Sequence, residues 1–156
     1  MLELNFNKNI KTQVNTAASH KSEDWYIKAF KANTKAKWIF GIDGLPADSK
    51  LHRVNQDGEF LFRMMLKANE LGLETEWQHI VFNYNQDYLK KVKQLATDNN
   101  LNLNICLSSR WRGSNDPLKP RKEFIMARKP GSFNKSDILD PKCFKRRPLG
   151  HTSKVT

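Results

Sequence analysis

Asp43, His52 and Arg53 bring a carboxylate, an imidazole and a guanidinium into one short stretch, WIFGIDGLPADSKLHRVN (38–55). A carboxylate accepts hydrogen bonds from hydroxyl, amine and amide N–H groups. An imidazole gives or takes a proton near neutrality, and a guanidinium grips carboxylates or phosphates with paired N–H donors. Each residue type also has an ordinary role. Asp43-Gly44 fits a turn that ends a strand, Arg53 can pair with Asp48 or Asp57, and a loop histidine such as His52 is commonly solvated. His79 sits inside an extended run and reads as structural. Trp38 and Trp77 suit the space between a sheet and its helices.

The elements that must position these groups follow from hydropathy patterning. LELNF (2–6), AKWIFGI (36–42), ETEWQHIVF (74–82) and LNLNICL (101–107) read as strands. Ser22 is a candidate N-cap, with Glu23 and Asp24 in the first turn of a helix whose apolar face is Trp25, Tyr26, Ala29 and Phe30. A second helix spans Asp57 to Leu71, with Leu61, Phe62, Met65, Leu66 and Ala68 as its stripe and Gly72 at the C-terminal cap. Asn85 can cap a third, whose face is Tyr88, Leu89, Val92, Leu95 and Ala96. Strands alternating with helices predict an α/β fold with a parallel sheet of about four strands and right-handed crossovers.

In such sheets, binding groups collect where the carboxyl ends of the strands pass into loops. The expected ends are Asn5-Phe6-Asn7, Asp43-Gly44, Asn83-Tyr84-Asn85 and Ser108-Ser109-Arg110, all polar. Asn, Asp, Gly and Ser also make turns and caps. Four polar ends on one rim favour a site; Asn85 taken alone favours a cap.

Charge divides the chain. Residues 1–109 carry 14 Lys+Arg against 12 Asp+Glu, and residues 110–156 carry 13 against 4. Five of the six prolines fall in the second segment. The expected organisation is a folded unit over 1–109 and a basic, proline-containing tail over 110–156. In that tail Arg110-Trp111-Arg112 and Lys145-Arg146-Arg147 mix cations with an aromatic, which gives an alternative function, nucleic-acid binding. No helix-turn-helix or RNA-binding signature accompanies them. There is neither a bilayer-length apolar run nor a secretory leader pattern, so the expected location is cytoplasmic, with no membrane partner. Two cysteines, Cys106 and Cys143, provide no disulfide framework.

With these residues in view, the chain resembles the later part of the radical S-adenosylmethionine (radical SAM) core domain. The nearest branch is the one with a C-terminal auxiliary-cluster region (SPASM or twitch-like). The family pattern SIDG…H…R is similar to Ile42-Asp43-Gly44, His52 and Arg53, with Gly41 in place of the serine. Its V…N…N pattern is similar to Val81, Asn83 and Asn85. LELNFN looks like the preceding strand, ELNTNG, with Phe6 for the threonine and Lys8 for the glycine. ILDPKCF (138–144) resembles the approach to an auxiliary cluster, in which Cys143 would be the first ligand.

The resemblance implies a partial TIM-like barrel lacking its first strands. It implies that Asp43, Gly44, Asn83, Asn85 and Ser108 line the S-adenosylmethionine or substrate rim, and that His52 and Arg53 meet the substrate, with Arg53 on a carboxylate. It also implies a 4Fe–4S cluster on a C-x-x-x-C-x-x-C loop and a 5′-deoxyadenosyl radical that takes hydrogen from a small molecule or peptide. The chain has no such cysteine triplet: Cys106 and Cys143 are 37 positions apart. It is therefore expected to be a truncated, split or degenerate part of such an enzyme, binding no cofactor and inactive alone. A separate N-terminal half would carry the cluster cysteines. LELNF, as an exposed strand edge, would be covered or paired with another chain.

Overall fold

The computed structural model describes residues 1–108, 111 and 115–126. In chain order the elements are α1 (Leu2–Asn7), β1 (Gln13–Thr16), α2 (Glu23–Ala32), β2 (Lys37–Gly41), a 3₁₀ turn (Pro46–Leu51), α3 (Gly58–Glu70), β3 (Thr75–Ile80), a second 3₁₀ turn (Gln86–Tyr88), α4 (Leu89–Asp98), β4 (Leu103–Cys106) and α5 (Lys122–Met126). The four strands form one sheet in the order β1-β2-β3-β4, all parallel. This is an α/β fold compatible with a partial TIM-like barrel.

Two helices, α2 and α3, begin at their predicted caps, while α4 begins at Leu89 with no side-chain cap from Asn85. The Ser22 side chain accepts from the Trp25 N–H, and Asp57 accepts from the Phe60 N–H. Gly72 follows α3 at φ +78°, where a side chain would be strained. The buried faces hold Tyr26, Ala29 and Phe30 on α2, Leu61, Met64, Met65 and Ala68 on α3, and Leu89, Val92 and Ala96 on α4. Trp25, expected on the buried face, is instead substantially exposed and stands edge-on to Tyr26. Tyr88 likewise faces outward.

The N-terminal segment corrects the sequence reading. Leu2–Asn7 is a helix, and the first strand is Gln13–Thr16. Leu2, Leu4 and Phe6 alternate as strand residues do, but the Leu2 and Phe6 pair is also spaced at i, i+4. Leu2 packs on the core, and its carbonyl accepts from the Asn33 side chain at 3.2 Å. The true edge strand, QVNT, has a single aliphatic residue and so gave no apolar run to detect. LELNFN therefore does not correspond to a barrel strand, and Asn5-Phe6-Asn7 is not a strand end. The prediction of LELNF as an exposed sheet edge falls with it.

Register separates the two faces of the sheet. Val14 lies beside Trp38 and Thr16 beside Phe40, while Phe40 lies beside Trp77 and Trp77 beside Leu103. Side chains of that parity form one core with the buried faces of α2, α3 and α4. The opposite parity carries Asn15, Lys37, Ile39, Glu76, Gln78 and Asn104. All three crossovers thus put their helices against one face and leave the other largely polar, with Ile39, Ile80 and Cys106 as its apolar members, as in a barrel wall.

A second apolar cluster joins Val81, Phe82, Leu89, Ile105, Leu107 and Trp111. Trp111 is 2% exposed and meets Phe82 edge-to-face at 5.4 Å. The aromatic assigned to a nucleic-acid-contacting tail is therefore a core residue. Lys145-Arg146-Arg147 and Cys143 lie outside the described residues.

Candidate site at the carboxyl end of the sheet

Asp43 stands two residues beyond β2, buried completely. Its Oδ2 accepts from Arg53 Nε at 2.8 Å and its Oδ1 from the Ile80 N–H at 3.0 Å. The carboxylate thus pins the loop after β2 to the end of β3. Its backbone is held as firmly: the N–H donates to Ser49 Oγ at 3.3 Å, and the carbonyl accepts from Tyr84 Oη at 2.8 Å. Burial, followed by the charge of Asp43, pushes the Tyr84 phenol well above its ordinary pKa, so it stays a donor.

Arg53 reaches Asp43 because the 3₁₀ turn at Pro46–Leu51 folds the chain back over β2. The pairing expected with Asp48 or Asp57 does not form; Asp57 caps α3 instead. Gly41 makes room for the guanidinium, since a Cβ there would stand 3.1 Å from Arg53 Nη2. The serine usual in the family pattern would meet the arginine at this point. Arg53 spends Nε on Asp43, and among the described residues its two Nη nitrogens have no hydrogen-bond partner.

Beneath this loop, Gln56 donates to the carbonyls of Ala17 at 3.3 Å and Gly41 at 3.2 Å, while its Oε1 accepts from Ser49 Oγ. Gly44 adopts φ +111°, a conformation that glycine takes without strain. Its N–H donates to His79 Nδ1 at 3.0 Å. Burial lowers the His79 pKa to about 4, although the Asp43 charge and the Ile42 carbonyl pull it upward. Ser49, Gln56 and Tyr84 escaped the sequence reading as site residues. Only Tyr84, inside the Asn83-Tyr84-Asn85 strand end, carried any signal.

The other expected rim residues separate into distinct roles. The Asn85 side chain accepts from the Phe82 N–H at 2.8 Å and donates to the Ile80 carbonyl at 2.9 Å. It makes no helix cap; it is completely buried, with its amide bonded within its own turn. Asn83 is exposed and points toward the following segment, donating to the Pro117 carbonyl at 3.4 Å and accepting from Gln86 at 2.8 Å. Ser108 is half-buried, its carbonyl accepting from the Trp111 N–H at 3.5 Å. The His52 ring packs on Phe82 at 4.2 Å. The structure thus brings Asp43, Gly44, Arg53 and Asn85 together and sets Asn83 apart. Both oxygens of Asp43 are already engaged by this chain, which leaves Arg53 as the group with open valence.

Among the described residues no cluster of three or more His, Cys, Asp or Glu could hold a metal ion. Cys106 is half-buried at the end of β4, its Sγ 3.5 Å from Asn104 Oδ1. Nor is any helix among them long and apolar enough to cross a membrane.

Neither a protein-family model nor a curated protein sequence matches the chain. Among solved structures it is similar to the crystal structure of Streptococcus suis SuiB, with a TM-score of 0.60 and 15% sequence identity. The likeness covers 77% of this chain and 28% of SuiB, so the chain spans well under a third of that protein. At this identity the likeness establishes the fold.

Proposed function

We propose that this chain is the ligand-facing wall of a radical SAM-type barrel, and that a separate polypeptide supplies the cluster. The structural neighbour SuiB is a radical SAM-type enzyme, which supports the family. The observation that carries the ligand-facing role is Arg53, fixed on a buried carboxylate at the carboxyl ends of parallel strands, with its Nη nitrogens open. Such a group binds and orients an anionic end of a small molecule or peptide. Asp43, Ser49 and Gln56 act behind it as positioning residues.

A 4Fe–4S cluster of the radical type needs three thiolates in one loop. The chain has two cysteines far apart in sequence, and the donor set does not fit that cluster. No chemical step is assigned to the cluster or to S-adenosylmethionine on these residues.

Tagged full-length chain, purified anaerobically from its source cells, tests the reading. The expected partner carries a C-x-x-x-C-x-x-C loop, and the mixture takes up iron and sulfide to absorb near ~400 nm while this chain alone stays colourless. A stable cluster on the chain alone, or partners without that loop, overturns it.

A further inference from the structure

β1 ends the sheet, and among the described residues no strand pairs with its outer side. The Thr12 carbonyl accepts from the Lys37 N–H at 3.0 Å. By the alternation of a parallel ladder, Thr12, Val14 and Thr16 then turn their backbone groups toward β2. The N–H and C=O groups of Gln13 and Asn15 therefore point outward. QVNT holds neither a charge nor a proline, two of the devices that blunt an edge strand. The segment leading into it is apolar and exposed at Leu4 and Ile10. Ile10 is fixed there, its N–H donating to the Asn5 carbonyl at 2.8 Å and its carbonyl accepting from Thr12 Oγ1 at 3.0 Å.

We infer that the outer edge of β1 docks an extended segment of another protein, apolar beside Val14 and acidic at its ends. The added strand pairs through the outward backbone groups of Gln13 and Asn15. Val14 has the parity of the core side and is only partly buried, so an apolar neighbour on the added strand extends the core. Gln13 and Asn15 lie on the polar face, Gln13 Nε2 donating to Asn15 Oδ1 at 3.0 Å, and suit polar neighbours.

Charge selects the occupant. Lys8 and Lys11 precede the edge, both exposed and neither in an ion pair among the described residues. Lys35 adds a third cation to the same end, its Nζ 5.3 Å from the Phe6 ring centre and 3.5 Å from Asn9 Oδ1. Glu3 is the one acid in residues 1–16. A second copy would bring two such patches of like sign together. Residues 127–156 of the chain itself carry 8 Lys+Arg against 2 Asp+Glu, again the same sign. A separate, acidic segment is the complement. The inference goes beyond the barrel-wall reading and needs no cluster on the partner.

The test titrates the full chain with a capped octapeptide of alternating valine and threonine between pairs of glutamates, and with its lysine-flanked counterpart, following backbone amide shifts. The acidic peptide is expected to shift Gln13 and Asn15 and to bind about tenfold more tightly than the basic one at low salt, a gap that narrows as salt rises. Asn15→Pro removes an outward N–H while keeping the β1–β2 ladder, and should weaken the acidic peptide about tenfold or more. Lys8→Glu combined with Lys11→Glu should reverse the preference. Thermal midpoints establish that the variants fold; if Asn15→Pro does not, the charge reversal decides. Equal binding of the two peptides, shifts confined elsewhere, or an acidic peptide indifferent to Asn15→Pro overturns the inference. A dimer in sedimentation that Asn15→Pro disperses overturns it in favour of a second copy. Slow amide exchange at Gln13 and Asn15 in the free monomer overturns it in favour of the chain's own residues. A cluster held by this chain alone overturns the barrel-wall reading without touching the peptide titration.

Discussion

His79 accepts the Gly44 N–H through Nδ1 and is completely buried, so only its neutral form suits the fold. A proton on Nδ1 would remove the acceptor and place a charge in the core. In the unfolded chain the imidazole takes that proton near pH ~6.5, whereas burial in the folded chain delays it to about 4. Between these values the unfolded state binds more protons, and stability falls as pH drops through the window. The ceiling on this effect is about 3 kcal/mol. Urea unfolding midpoints should therefore decline from pH 7 to 4.5, and His79→Gln should flatten the slope. A slope that persists unchanged in the variant would assign it to other groups. At this scale the identity of the rim loop was legible, because Asp43, Gly44 and Arg53 fall in one short motif. Their use was not. The Asp43–Arg53 ion pair spans ten residues and forms only because a 3₁₀ turn lies between them. No local spacing rule reports that.

Gly58 shows how an element can depend on one missing side chain. It is the first residue of α3, where alanine would ordinarily add about 1 kcal/mol of helix stability. Here a Cβ would stand 2.2 Å from the Pro46 carbonyl oxygen and 2.9 Å from Ser49 Cβ. The helix start is thus packed against the 3₁₀ turn that carries Ser49 and directs Arg53. Gly58→Ala should reverse its usual sign and cost about 3 kcal/mol, read as a lower urea midpoint with an unchanged m-value. It should also weaken anion binding at Arg53, since the turn must shift. A neutral or stabilising Gly58→Ala would show that this junction has slack. Helices were the legible elements, because a 3.6-residue stripe and an end cap agree independently in α2 and α3. The 3₁₀ turns were not legible, being short, closed by local backbone bonds such as Asp48 N–H to the Leu45 carbonyl, and without an apolar stripe to mark them.

The molecule extends its packing past the boundary that charge suggests. Trp111, Leu118, Phe124 and Ile125 join the cluster around Phe82, and the Asn83 N–H donates to the Leu118 carbonyl at 2.9 Å. Arg121 closes the same contact, its backbone N–H donating to Gln86 Oε1 at 2.8 Å and its guanidinium pairing with Asp87. Trp111→Ala removes the largest side chain of that cluster and should cost about 3–5 kcal/mol, visible in thermal or urea unfolding. A loss under about 1 kcal/mol would mean that the segment contributes little to the fold.

The sequence by itself determined the α/β class, the helix faces, β2 to β4 and the rim loop, since each is encoded by contiguous periodicity and end signals. Tertiary structure decided that LELNF is a helix and that a weakly apolar QVNT closes the sheet, because an edge strand needs little hydrophobic signal of its own. It also decided which polar rim residues are occupied. Hydrogen bonds across the loops take up Asp43 and Asn85 and leave the Arg53 fork over Gly41, and only the folded chain brings those groups within reach.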